Sequence, residues 1–127
     1  MMAYKFYNPN PVGRFNIDCI PRATAKALDI DWDAASVLLC NAAIGMGTVE
    51  CSDDAMAAVL RRHGFCRDVI PNTCPECYTV NDFCEDHPKG TFVLELGGHV
   101  VTIVDGVAYD TTNPARETVQ FYWYQKE

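Results

Sequence analysis

The sequence predicts an α+β fold in which helices come first and an antiparallel β-sheet follows. Two observations carry this expectation. As far as Gly64, apolar residues recur at helical spacing between recognisable caps; after Gly90 the apolar period changes to two. A third observation fixes part of the sheet: Asp105-Gly106, set between two β-branched runs, is the strongest short hairpin signal a sequence offers. The 127 residues are expected to form a single domain. It divides into an irregular N-terminal arm (1–17), a helical half (18–64), a loop with a short helix (65–90) and the sheet (91–127).

Asn8-Pro9-Asn10-Pro11 and Gly13 make residues 1–17 read as extended and irregular. Asp18 is placed to cap a first helix, and Pro21 fits its first turn, where a missing N–H costs little. Ile20, Ala23, Ala27 and Leu28 form its apolar face. A second helix is expected over 32–43, capped by Asp31 and ended by Gly45 and Gly47. Ser52 caps a third, with Asp53 and Asp54 at its positive end, Arg61 and Arg62 at its negative end, and Gly64 as the stop. Residues 65–78 read as irregular or weakly extended. Thr79 then caps a short helix over 80–86, which Pro88-Lys89-Gly90 ends. Phe92, Leu94 and Leu96 alternate with Val93 and Glu95, and strands over 100–104 and 107–111 flank the Asp-Gly turn. A last strand over 118–124 puts Val119, Phe121 and Trp123 on one face, Tyr122 and Tyr124 on the other. Trp32, Phe65, Cys40, Cys51 and Cys66 read as packing residues, and His63 as a cation in the last turn of its helix.

Apolar residues make up 49% and charged residues 21% of the chain, the balance of a globular protein. The net charge is −7 and the ten Lys and Arg are scattered, so a nucleic-acid partner is not expected. No stretch approaches the roughly 18–20 apolar residues of a membrane span. The N-terminal segment lacks the apolar core of a signal peptide, so the expected location is the cytoplasm, where thiols stay reduced. Seven cysteines there are expected to be buried, catalytic or metal-bound rather than paired.

Cys19 and His99 stand out. Cys19 opens the first helix, where the dipole and the unpaired N–H groups stabilise a thiolate. His99 follows Gly97-Gly98, glycines that permit close approach of a backbone or a substrate. A two-residue turn at Asp105-Gly106 pairs Val104 with Val107 and Thr102 with Tyr109, so His99 and Asp110 become diagonal neighbours on one face, roughly 7–8 Å apart at the backbone. A carboxylate there can hold one imidazole nitrogen and leave the other for a thiol. The order is that of a nucleophile, a base and an orienting acid: Cys19, His99, Asp110. The Cys19 N–H is one oxyanion donor; for a second, Asn16 is the nearest candidate and Asn10 another.

The block Asp18-Cys19-x-x-Arg22-Ala23 opening a helix, followed by Gly-His-Val-Val and a Tyr-Asp-Thr strand end, resembles papain-like cysteine peptidases in minimal form. It is similar to small cysteine-protease-like proteins of phages and prophages and, more distantly, to the peptidase domains that trim bacteriocin leaders. The resemblance spans about Asn8 to Tyr124. It implies a helical half carrying the nucleophile Cys19, a sheet half carrying the base His99 and the acid Asp110, and a peptide, protein or glutamine-like amide as substrate. One position departs from that pattern: Gly13 stands six residues before Cys19, where papain-like enzymes carry a glutamine that donates to the oxyanion. Proteolysis, deamidation, acyl transfer and a non-catalytic scaffold that binds a host protein therefore all stay open.

A second cluster, Cys74, Cys77, Cys84 and His87, has the spacing C-x2-C-x6-C-x2-H, which could form a Cys3His zinc site. The competing reading packs Cys84 beside Phe83 in the core and leaves His87 as a helix-end cation. Zinc is the one cofactor the spacing allows; otherwise none is expected.

Overall fold

The computed structural model describes residues 3–14, 17–71 and 76–126. Among the described residues the order is β1 (Ala3–Phe6), α1 (Cys19–Leu28), α2 (Trp32–Met46), α3 (Asp53–Arg62), β2 (Phe65–Val69), α4 (Val80–Asp86), β3 (Thr91–Leu96), β4 (His99–Val104), β5 (Val107–Asp110) and β6 (Phe121–Gln125). The architecture is mixed α+β, with four helices and a six-stranded sheet among these residues.

The helix signals act as expected. The Asp31 side chain accepts from the Ala34 N–H at 2.7 Å, and Ser52 accepts from Ala55 at 3.1 Å. Thr79 and Asp82 form a reciprocal capping box. α2 differs at its far end: it runs through Gly45 to Met46, and Gly47, at φ 68°, ends it. The Asp105-Gly106 turn has both residues at positive φ, 49° and 76°, so its twist matches the strands and pins their register. Val104 pairs with Val107 and Thr102 with Tyr109.

The strand order is β1-β5-β4-β3-β6-β2. An all-antiparallel sheet following the helices is corrected in two respects. β1, inside the supposed irregular arm, pairs in parallel with β5, so the sheet is mixed. β2, in the stretch read as a loop, pairs antiparallel with β6 before the last helix is reached. Each is a short edge strand whose partner is distant in sequence, so neither carries the alternation that a central strand needs.

α1, α2 and α3 pack on one face, where Ile20, Leu39, Met56 and Leu60 meet Val93, Val100 and Trp123. α4 covers the other face, where Val80 and Phe83 meet Leu94, Val101 and Ile103. The period of two in β3 and β4 thus feeds two cores instead of one core and solvent. Phe83 and Trp123 anchor these cores and are essentially fully buried. Val119, expected beside Trp123, packs instead in the Phe83 core, because the regular strand begins only at Phe121. Phe65 is buried as expected, but Cys40 and Cys51 are exposed and Cys66 and Trp32 only partly buried. No helix among the described residues is long and apolar enough to cross a membrane.

Candidate active site

Cys19 is the first residue of α1, His99 the first of β4 and Asp110 the last of β5. α1 packs along β4, and the buried Thr102 hydroxyl locks the two by donating to the Ala23 carbonyl at 2.7 Å. The tight Gly97-Gly98 connection returns the chain at Leu96 opposite His99. Gly98 is required by its φ of 79°; nothing lies within 4 Å of where its Cβ would stand, and it lines the open space beside Cys19 and His99.

The three side chains form one hydrogen-bonded chain. His99 Nε2 lies 2.6 Å from Asp110 Oδ2. The other ring nitrogen is left for Cys19, whose thiol is hydrogen-bonded to the His99 side chain. The backbone N–H of Val100 donates to the same sulfur. β5 has ended before it reaches Val100, which leaves that N–H to turn toward the thiol.

The electrostatics favour a charged pair. The hydrogen bond to Asp110, joined by that to Cys19, raises His99 from 6.5 to about 10 against the opposing effect of burial. Burial alone would raise the Cys19 thiol, but the His99 hydrogen bond, the Val100 N–H and the nearby positive charges of His99 and Arg22 lower it below its ordinary 9.0. Both shifts favour the charged pair of thiolate and imidazolium, the reactive form of a thiol nucleophile.

Asp110 is fully buried and multiply held. Its Oδ1 accepts from the Thr111 N–H at 2.7 Å and pairs with Arg22 Nη2 at 3.1 Å. The Tyr4 hydroxyl of β1 donates to its carbonyl at 3.1 Å. Arg22 also reaches Asp18 Oδ1 at 2.7 Å, while Trp32 Nε1 donates to Asp18 Oδ2 at 3.1 Å. Asp18 occupies the N-cap position but makes no side-chain cap hydrogen bond, so its expected capping role is corrected: the buried guanidinium claims the carboxylate.

A cavity of about 260 Å³ opens on Cys19 and His99, with Ile17, Ile20 and Leu96 among its apolar walls and Cys51, Asp53 and Glu95 among its polar ones. Glu95, almost fully buried, accepts from Trp123 Nε1 at 2.9 Å. Burial and the neighbouring Asp53 carboxylate, to which Glu95 is hydrogen-bonded, raise its pKa. The sequence places Arg22 in the Asp18-Cys19-x-x-Arg22-Ala23 block without a role, and marks neither Glu95 nor the Val100 N–H as a group of the site. The Asp18–Arg22 pair at i, i+4 was the one available signal.

The first-helical-position N–H of Cys19 has no intrahelical acceptor, which suits it to an oxyanion. Asn16, the expected second donor, lies outside the described residues. Asn10 spends its side-chain oxygen on the Val12 and Arg14 N–H groups, at 3.0 and 3.4 Å. Gly13 ends that turn at φ 67°, a conformation that favours glycine over glutamine.

Of the cluster Cys74, Cys77, Cys84 and His87, Cys74 lies outside the described residues. Cys84 packs in the core, where burial pushes its thiol up to about 11. His87 stacks on Phe83 at 3.9 Å between ring centres and places Nδ1 3.0 Å from the Phe83 carbonyl. Cys77 is exposed. Among the described residues no three His, Cys, Asp or Glu side chains are grouped to hold a metal ion.

Comparison with protein-family models, curated proteins and solved structures finds no match to this chain.

Proposed function

We propose that this chain is a papain-like thiol hydrolase acting on a peptide bond or a glutamine-like amide. The observation that carries the reading is the continuous Cys19–His99–Asp110 chain, with the imidazole hydrogen-bonded on both sides and the sulfur facing a cavity. The Cys19 thiolate attacks the carbonyl carbon, and the electron pair of the C=O bond moves to oxygen, toward the Cys19 N–H. As the tetrahedral species collapses, imidazolium His99 gives its proton to the leaving nitrogen, and a thioester remains on Cys19. His99, now neutral, takes a proton from water as that water attacks the thioester, releasing the acid and restoring the ion pair. Asp110 fixes the imidazole tautomer and stabilises its charged form.

A second reading keeps the papain-like fold as the non-catalytic scaffold of a phage-type accessory protein that binds a host protein. Gly13, in place of the family's oxyanion glutamine, favours it. The discriminating experiment screens a fluorogenic peptidyl-amide library and free glutamine amides, alongside labelling by a peptidyl vinyl sulfone. The hydrolase reading expects turnover and labelling at Cys19, both abolished in Cys19→Ala. A parent protein inert toward every substrate and unlabelled by the vinyl sulfone refutes it and leaves the scaffold.

A further inference from the structure

We propose that Arg22 is a positioning residue of this site: by bridging Asp18 and Asp110 it holds the Asp110 carboxylate on His99 and ties the helix end that carries Cys19 to the strand end that carries Asp110. The inference rests on the hydrolase reading and goes beyond it, since a nucleophile, base and acid need no arginine.

The geometry is specific. Arg22 lies on α1, at i+3 from Cys19, with only 4% of its surface exposed. Its two terminal nitrogens serve different elements: Nη1 meets Asp18 at 2.7 Å and Nη2 meets Asp110 at 3.1 Å. The Asp110 carboxylate is divided by this contact. Oδ1 is taken by Arg22 and the Thr111 N–H, and Oδ2 is aimed at His99. Without the guanidinium, Oδ1 keeps one donor and the carboxylate can rotate away from the imidazole. Asp18 is held in turn by Trp32 of α2, so the whole chain runs Trp32–Asp18–Arg22–Asp110–His99–Cys19. Cys19 and Asp110 sit on elements that no local turn connects, and this chain sets their spacing.

The guanidinium suits this task where an ammonium does not. Two carboxylates on different elements must be reached at once from one rigid planar fork, whereas lysine offers a single point charge. A buried, fully paired arginine is costly to strip of its partners, which explains why both of its carboxylates are themselves buried. Arg22 also acts on the thiolate directly, because its positive charge lies close enough to stabilise the Cys19 anion.

The test compares the parent, Arg22→Lys, Arg22→Met and Asp18→Asn. Each is checked for folding by near-ultraviolet circular dichroism of the buried Trp123. The readout is the pH dependence of Cys19 alkylation by iodoacetamide, followed by peptide mass spectrometry; it needs no substrate. Arg22→Met is expected to move the Cys19 titration up and to slow alkylation at pH 6 by about fivefold or more, with Arg22→Lys between it and the parent. With a fluorogenic substrate in hand, kcat is expected to fall at least about tenfold in Arg22→Met while KM stays within about threefold. Should Arg22→Met fail to fold, Arg22→Lys and Asp18→Asn carry the same reading at smaller amplitude. A folded variant series whose alkylation profiles all coincide with a depressed parent profile overturns the role of Arg22 and leaves the hydrolase reading standing. A parent profile with an ordinary thiol titration overturns the hydrolase reading itself, and this inference with it.

Discussion

Replacing His99 by alanine removes two of the influences that make Cys19 a thiolate, its hydrogen bond and its positive charge, and leaves burial, which acts in the opposite direction and is the largest single cause. The Val100 N–H and Arg22 still favour the anion, so the thiol is expected to return toward its ordinary 9.0 without losing all of its stabilisation. Where the thiol is mostly protonated, raising its pKa cuts the thiolate fraction about tenfold per pH unit and restores only about threefold of intrinsic nucleophilicity. Alkylation of His99→Ala at pH 6 is therefore expected to be slower by about three- to fourfold or more. The assay is iodoacetamide labelling at Cys19 between pH 5 and 11, with the exposed Cys40 and Cys77 as internal references. The alanine widens access to the sulfur, an effect opposed in sign to the prediction, so a slower rate cannot come from accessibility. Above pH 10, where ionisation no longer limits either protein, the difference is expected to vanish or reverse, because the variant's more basic thiolate is the better nucleophile. In the parent, substrate turnover is expected to fall as the pH rises through about 10 and His99 loses the proton it must donate, while alkylation does not fall. Rates at pH 6 within twofold of one another in parent and His99→Ala would refute the reasoning.

Two further outcomes follow from the same charges. With His99 at about 10 when folded and 6.5 otherwise, and Cys19 lowered from 9.0, the unfolded pair has lost both protons above pH 9.0 while the folded pair still holds one on the imidazole. The pair's contribution to stability therefore falls as the pH rises from 9.0 through about 10. The difference in urea midpoint between the parent and a Cys19→Ala, His99→Ala double variant, followed from pH 8 to 10.5, should shrink over that range; a difference that stays constant or grows would contradict it. Glu95 has a raised pKa, so its folded state binds the proton more tightly and stability is lost as the pH rises from 4.5 through the raised value. Glu95→Gln keeps an acceptor for Trp123 and a donor for Asp53, and is expected to gain on the parent in urea midpoint between pH 4 and pH 8; a pH-independent difference would show that Glu95 carries no such penalty.

The parts of this site that could be read from the chain are those fixed by short-range chemistry. Asp31, Ser52 and Thr79 cap their helices within three residues, and the Asp105-Gly106 turn sets a register that carries Asp110 to His99 by strand periodicity alone. Other features depended on partners that only folding brings together. Asp18 has the side chain and position of a cap, yet a guanidinium one turn on and an indole from the next helix outcompete the backbone for its oxygens. β1 is four residues long and gains its place through a parallel register with β5, about which its own sequence is silent.

What the sequence determined by itself is the set of local decisions: where helices start, where the turn reverses the chain, and that Cys19 opens a helix while His99 and Asp110 share a hairpin. These rest on backbone propensities and hydrogen bonds closed within a few residues. The tertiary structure decided that the helix end and the hairpin meet, that Arg22 links them, and that Glu95 and Asp53 face the same cavity as the thiol. Those contacts join residues far apart in the chain, and their energies come from burial and from charges removed from water. Only the packed core sets either one.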